Sequence, residues 1–247
     1  MKPQFEKSIF LSDMHVPFEH KKSLKVVNAF MEWFKPNKIY LIGDIIDFYA
    51  VSSFDKDPER ITSLQDDINK TRNILKDIRA CNPKADILYI EGNHEHRLQK
   101  YMWKHPEISS LDALSVTNLL MLTELRIAYV NQFESVKYHK FLVEHGSVVR
   151  QQSAYTARAM LEKRGMSGIS GHTHRMGAHY LTNMSGSYAW FENGCLCDLH
   201  PEYVVGQPNW QTSFSIGYFK AKGNRFNVEQ VPIIHDKASY GDMEFKA

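Results

Sequence analysis

The apolar run Ile87-Leu88-Tyr89-Ile90, followed one residue later by Gly92-Asn93-His94-Glu95, decides how this chain folds. An apolar run of strand length that stops at a glycine and then offers Asn and His side by side is a buried strand delivering polar side chains to the mouth of a sheet. Four other segments end in the same way. Ser8-Ile9-Phe10-Leu11-Ser12 leads into Asp13-Met14-His15, and Lys38-Ile39-Tyr40-Leu41-Ile42 opens into Gly43-Asp44-Ile45-Ile46-Asp47. Phe141-Leu142-Val143 stops at Glu144-His145-Gly146, and Gly168-Ile169-Ser170 runs into Gly171-His172-Thr173-His174.

Helical patterns separate the first three strands. Residues 21–34 place Leu24, Val27, Phe30, Met31 and Phe34 at the 3-4 spacing of one helix face, with Pro36 beyond the end. After a polar loop with Asp55, Asp57 and Pro58, residues 62–80 set Leu64, Ile68, Leu75 and Ile78 on one stripe, closed by Asn82-Pro83. Strand, ligand loop and helix in repetition predict a largely parallel sheet with helices on its faces. Residues 96–103 and 111–122 read as helices, and residues 97–125 form an excursion expected to roof the site.

Further along, 125–130 reads as a strand and 153–163 as a helix that stops at Gly165. From Ala178 the pattern turns to β, with strands over 178–182, 187–191, 214–219 and 226–231 and a connecting loop over 198–212. That predicts a second sheet packed on the first. With no repeat of fixed period and no Gly/Ser-rich linker, a single domain over residues 1–247 is the simplest organisation.

Bulk properties exclude several classes. Hydrophobic residues make up 43% and charged residues 23%, the composition of an ordered globular chain. A net charge of +2 is too small to demand a nucleic-acid partner by itself. Cys81, Cys195 and Cys197 do not make a disulfide framework and suit a reducing compartment. Cys195-x-Cys197 lacks the second pair of a tetrahedral metal site and reads as packing. The stretch Met1-Lys2-Pro3-Gln4-Phe5-Glu6-Lys7 has no apolar signal region, and no run of about 18 apolar residues occurs. No membrane association and a cytoplasmic location are therefore expected.

The strand ends gather Asp13, His15, Asp44, Asp47, Asn93, His94, His145, His172 and His174. Carboxylates with imidazoles suit borderline divalent metals such as Mn, Fe, Zn or Co. The set is too large for one ion, whereas two ions about 3.5 to 4 Å apart that share a carboxylate would use all of it. A lone Asp-x-His or Gly-Asp is usually an ordinary turn or cap. Five such segments in one consistent order are not.

Together these segments resemble the calcineurin-like metallophosphoesterase family, whose pattern is D-x-H, G-D-x-x-D, G-N-H-[DE], a later H, and G-H-x-H. Every block is present, over residues 13–174. The resemblance implies a four-layer αββα sandwich of the α/β (α+β) class, two mixed sheets flanked by helices. It implies one metal on Asp13, His15 and His174, a second on Asn93, His145 and His172, and Asp44 bridging them. His94 would be the catalytic histidine and Asp47 its orienting partner. The cofactors implied are two divalent transition-metal ions, Mn first and Fe, Zn or Co behind it. The activity implied is hydrolysis of phosphoester bonds by a hydroxide held between the metals.

Protein Ser/Thr phosphatases of this superfamily usually follow the second Asp of G-D-x-x-D with Arg-Gly, and here Asp47 precedes Phe48-Tyr49. The related repair nucleases usually carry a capping region beyond the last His, and 73 residues follow His174 here. A protein phosphatase and a large repair nuclease are therefore not expected, a compact nuclease stays open, and phosphodiester substrates, nucleic acid or nucleotide, are placed slightly ahead of phosphomonoesters, small or on protein. A non-catalytic scaffold on the same fold is the rival from another class. Arg97, Arg150, Arg158 and Arg175 are near enough to the motifs in sequence to hold a phosphate, Arg97, Arg150 and Arg175 foremost. Tyr188, Trp190 and Phe191 could stack a base, though core packing is the commoner use of such residues. Glu95 reads as structural, and His96 as a bystander or substrate contact. A zinc-protease H-E-x-x-H fails at Leu98, and no G-x-x-x-x-G-K-[ST] loop occurs.

Overall fold

The computed structural model describes residues 5–53, 63–132, 134–201, 206–220 and 225–247. The loop with Asp55, Asp57 and Pro58, and Thr62, lie outside these described residues.

The buried strands alternate between two cores, which is why they read as continuous apolar runs. In β1 (Phe5–Leu11), Ile9 and Leu11 face a helix-side core while Phe10 faces the opposite sheet. Strands β2 (Lys38–Ile42) and β3 (Asp86–Ile90) repeat the arrangement, with Ile39, Leu41, Ile87 and Tyr89 on one side and Tyr40, Ile42 and Ile90 on the other. With β4 (Ile127–Val130) they form a parallel array, extended by antiparallel β10 (Ser213–Lys220) and β11 (Phe226–Pro232). The order of this six-stranded sheet is β11-β10-β1-β2-β3-β4.

The second sheet has the order β5-β6-β7-β9-β8, from β5 (Val136–Tyr138), β6 (Phe141–Glu144), β7 (Ser167–Ser170), β8 (Gly177–Asn183) and β9 (Gly186–Glu192). Its inner face sends Phe141, Val143, Ile169 and Phe191 against Phe10, Tyr40 and Ile90. Helices α1 (Lys21–Phe34), α2 (Leu64–Cys81) and α3 (His96–Lys104) cover the outside of the first sheet. Helix α5 (Tyr155–Arg164) covers the second, packing Ala157, Met160 and Leu161 on Leu142 and Trp190. Four layers result: helices, sheet, sheet, helix. Among the described residues no helix is long and apolar enough to cross a membrane.

Local chemistry sets the helix ends. Ser63 accepts from the Asp66 backbone at 3.1 Å and Asp66 and Asp67 occupy the first turn of α2, where carboxylates suit the helix dipole. Gly165, at φ 64°, takes the left-handed turn that ends α5.

One expectation needs correction. Residues 111–122 are not one helix: a single 3-10 turn, Asp112–Leu114, precedes α4 (Val116–Leu119). Ser115 begins the new helix by accepting from Asn118 at 3.2 Å, and Met121 ends it with φ 55°. Unexpected is the hairpin of β12 (Lys237–Tyr240) and β13 (Met243–Lys246), which lays Phe245 against Phe30 and Trp33 of α1 at 5.0 and 5.5 Å between ring centroids. β5, only three residues long, is likewise absent from the sequence pattern.

Parallel pairing places the carboxyl ends of β1, β2 and β3 on one edge, and β6 runs parallel to β7 in the other sheet. His145, just beyond β6, holds its Nδ1 2.8 Å from the Ile42 carbonyl at the end of β2. The carboxyl edges of both sheets therefore meet at one place.

Candidate metal centre

The loops after β1 and β2 are zipped together by backbone bonds, Asp13 N–H to Gly43 O at 3.1 Å and His15 N–H to Asp44 O at 2.9 Å. This fixes the first donor group. His174 Nε2 lies 3.3 Å from Asp13 Oδ1 and 2.9 Å from His15 Nε2, and all three side chains are buried. Both Asp13 oxygens accept from the His172 N–H at 3.1 Å, tying the last histidine loop to the first strand.

Asp44 lies between this group and a second. Its Oδ2 is 3.8 Å from His15 Nε2 and 3.2 Å from His145 Nε2, while Oδ1 accepts from the His94 N–H at 2.9 Å. Asn93 Oδ1 is 3.0 Å from His145 Nε2, and the donor atoms of Asp44, His145 and His172 lie within 4.8 Å of one another. The contact of His145 Nδ1 with the Ile42 carbonyl turns Nε2 toward the centre, as outer hydrogen bonds commonly orient metal-binding imidazoles. Gly92 is essential to this packing, because a Cβ there would overlap the Asp44 carboxylate and backbone nitrogen.

The backbone is unusual at the donors. Asp13, His15, Asp44, His172 and His174 have φ between 49° and 72°, the left-handed region. Asp and His tolerate it better than most residues, and such conformations cluster where the surrounding structure imposes them.

Charge in the centre is mutually dependent. Burial lowers the affinity of His145 for a proton, but the adjacent Asp44 carboxylate outweighs it and pushes the pKa up to about 10. His172 goes the other way, down to about 4, through burial and the neighbouring charge of His145. Asp44 is held well below the usual carboxylate range, its burial overcome by His145 and His94.

Beside the donor groups, Asp47 joins three residues. Its Oδ2 is 3.1 Å from His15 Nδ1 and 3.0 Å from His94 Nδ1, and Oδ1 accepts from Arg97 at 2.7 Å. Arg97 Nη2 lies 3.1 Å from His94 Nε2, while His94 Nδ1 lies 3.0 Å from Asp47 Oδ2. Burial opposes protonation of His94, yet Asp44 and Asp47 raise its pKa above the ordinary value while Arg97 pulls it back.

The other nominated residues fall elsewhere. Arg175 donates through its guanidinium to the carbonyls of Asn209, at 3.1 Å, and Arg150. Arg150 lies in the loop between β6 and α5, and Arg158 makes an exposed pair with Glu162 on α5. Trp190 and Phe191 are buried in the core, Trp190 donating to Ser170 Oγ at 3.0 Å. His96 is buried with its Nδ1 3.8 Å from Glu91. Cys195 and Cys197 are buried as expected, but Cys197 Sγ lies 4.0 Å from His174 Nδ1, and the three form a further cluster of ligand-type atoms.

Sequence reasoning took Glu95 as structural without its partners and missed two further supports, Glu192 and Trp210. Glu95 is structural in a specific sense: one oxygen accepts from the backbones of Asp44 and Gly92, and the other from Ile45, Ile46 and the Tyr89 hydroxyl. Glu192, fully buried, accepts from Ala157 N–H and Thr173 Oγ1, each at 2.9 Å, and so anchors the loop between His172 and His174. Trp210 lies 4.3 Å from the His174 ring. Apart from the Gly92 and Tyr89 contacts of Glu95, these partnerships join residues distant in sequence and leave no local pattern.

No family model matches the chain. It is similar to the Gene 54 protein of Mycobacterium phage D29, with 29% identity over 94% of this chain and 95% of that protein. The Gene 54 protein of Mycobacterium phage L5 is 26% identical over the same shares. Among solved structures, Vacuolar Protein Sorting 29 from Cryptosporidium parvum aligns with a TM-score of 0.49 and 11% identity over 99% of this chain and 100% of its own. YfcE, a phosphoesterase from E. coli, aligns with a TM-score of 0.39 and 13% identity over 86% and 90%.

Proposed function

We propose that this protein is a dinuclear metal-dependent phosphoesterase that prefers phosphodiesters. The observation that carries it is the position of Asp44 Oδ2, within 3.8 Å of His15 Nε2 on one side and 3.2 Å of His145 Nε2 on the other. The donor set fits two ions: Asp13, His15 and His174 would hold one, Asn93, His145 and His172 the other, and Asp44 both. Mixed carboxylate, amide and imidazole donors suit Mn, with Fe, Zn or Co as substitutes. When bound, such a pair neutralises phosphoryl oxygens and lowers the pKa of water enough to supply a nucleophile near neutral pH.

The remaining chemistry belongs to the chain. His94 Nε2 is 3.7 Å from Asp44 Oδ2, at the edge of the proposed bridge, and its side chain is one of the more open in the cluster. From there it donates a proton to the departing ester oxygen. Asp47 steadies the charged form from Nδ1, and Asp44 adds to it. Arg97 competes for the same Asp47 carboxylate, and its guanidinium is aimed at His94 Nε2, where a phosphate oxygen would find it.

The absence of Arg-Gly after Asp47 speaks against a phosphoprotein substrate, and the open cleft that α3 borders beside the centre supports a diester by leaving room for a second ester group. The test is hydrolysis of bis-p-nitrophenyl phosphate against p-nitrophenyl phosphate with Mn added. Turnover of the diester is the expected result, and turnover of the monoester alone would reverse the preference.

A further inference from the structure

Helix α3 begins at the candidate centre and leads away from it. Its sequence, His96-Arg97-Leu98-Gln99-Lys100-Tyr101-Met102-Trp103-Lys104, has three permanent cations and no carboxylate. Leu98 and Met102 are buried beneath it. Arg97, Lys100, Tyr101 and Lys104 recur at i, i+3, i+4 and i+7, so they share the opposite face, and Trp103 flanks them. Seven residues of helix carry this face about 10 Å from the Arg97 end.

Arg97 is engaged at the centre by Asp47 and His94, but Lys100 and Lys104 are exposed and form no ion pair among the described residues. Trp103 is 61% exposed, an unusual setting for so large an apolar surface. Its edge packs on His96 at 5.4 Å, and Tyr101 lies against His105 at 4.3 Å, so the aromatic rings are held in place. The face borders a cleft of about 380 Å³ whose other wall is Val51, Ser52 and Ser53. Arg97 lines the cleft and also reaches the centre, so it stands between the two.

Lysines beside a fixed, exposed Trp103 and a half-buried Tyr101 are what a single-stranded polynucleotide requires: the lysines follow the backbone, and Trp103 stacks a base that no second strand covers. A duplex would use only the charges. An overall charge of +2 makes this local concentration of positive charge distinct from the general surface. We propose that the Arg97–Lys104 face of α3 and its cleft bind single-stranded nucleic acid, leading a phosphodiester of that strand to the metal centre. The inference rests on the phosphodiesterase reading above and names its substrate class.

Fluorescence anisotropy with the full chain in EDTA, which stops turnover, tests it with labelled oligothymidylate and a blunt duplex. The wild type is expected to bind the single strand more tightly. Lys100→Glu/Lys104→Glu should weaken that binding at least tenfold and reduce the slope of log K against log salt by about 1.4, roughly 0.7 for each phosphate no longer neutralised. Trp103→Ala should weaken single-strand binding roughly 5- to 100-fold with little effect on the duplex. Lys25→Glu/Lys76→Glu, on α1 and α2, serves as the charge control and should bind like wild type. Thermal melts establish that each variant is folded, and Lys100→Ala/Lys104→Ala replaces the double glutamate if it is not. Equal binding by the α3 and wild-type proteins, no binding by wild type, or preference for duplex would overturn the proposal. Mn-dependent hydrolysis of bis-p-nitrophenyl phosphate by the wild type, measured in parallel, reports separately on the phosphoesterase reading.

Discussion

Glu95 holds Asp44 in place: its Oε2 accepts from the Asp44 backbone N–H at 2.9 Å while the same oxygen takes the Gly92 N–H at 2.8 Å. One buried carboxylate thus fastens the turn after β2 to the turn after β3, and the proposed bridging ligand is positioned by a residue that never faces the metals. Burial pushes the Glu95 pKa up and Asp44 adds to this, against the pull of Tyr89 and Gly92.

Replacing that carboxylate by an amide should therefore be costly even though the shape is kept. In Glu95→Gln the amide nitrogen opposes backbone donors at whichever end it occupies. With two buried N–H groups unpaired at about 1–3 kcal/mol each, the loss is about 2–6 kcal/mol. Urea denaturation measures it, and a midpoint equal to wild type would contradict the clamp.

Asp44→Asn should lower the occupancy of both proposed sites, because the same oxygen serves each donor group. Metal analysis after loading with Mn is expected to give about two ions per wild-type chain and less than one in the variant. Full occupancy in the variant would rule out bridging.

His94→Ala should keep its metals and lose turnover by about 10²–10⁴-fold, the range for a positioned proton donor. The pH profile gives a sharper test. In the proposed role His94 acts protonated, so rate should fall as pH rises through its pKa, which Asp47 helps to raise. Asp47→Asn removes that support, and the alkaline limb should move to lower pH; a shift the other way would remove Asp47 from the role.

Metal binding should release protons. In the metal-free protein, burial is outweighed by Asp44 and His145 stays protonated up to about pH 10. An incoming ion must displace that proton, and His174, whose pKa Asp13 raises against burial, has its own to lose, so affinity should rise with pH and level off near pH 10. His172, at about 4, is already neutral under these conditions and adds nothing to the slope. Calorimetry in buffers of different ionisation heat reads the proton directly, and no buffer dependence would refute this account.

The clustering of these side chains was legible because each follows an apolar strand and parallel pairing aligns the strand ends. Helix α1 fell at Lys21–Phe34 as its spacing required, with Lys35 in the left-handed conformation just before Pro36. What stayed hidden was support that acts across the fold. Glu95 and Glu192 work by accepting from backbone groups up to 51 and 35 positions away, and backbone donors leave no trace in a sequence. Trp210 reaches His174 only because the chain returns through β9 and a long connection. The β12–β13 hairpin was missed because it buries only Ala238 and Phe245, too little to set a period.

The left-handed backbone at Asp13, His15, Asp44, His172 and His174 has a consequence for how such a chain changes over generations. Glycine or asparagine would occupy those turns with less strain, so pressure on folding alone would move these positions away from aspartate and histidine. The Asp13 and Asp44 carboxylates also tie the backbones of His172 and His94, but at the three histidines the demand for the donors themselves is what keeps them there. Lineages released from that demand should lose the donors early, while the apolar strands beneath them remain intact.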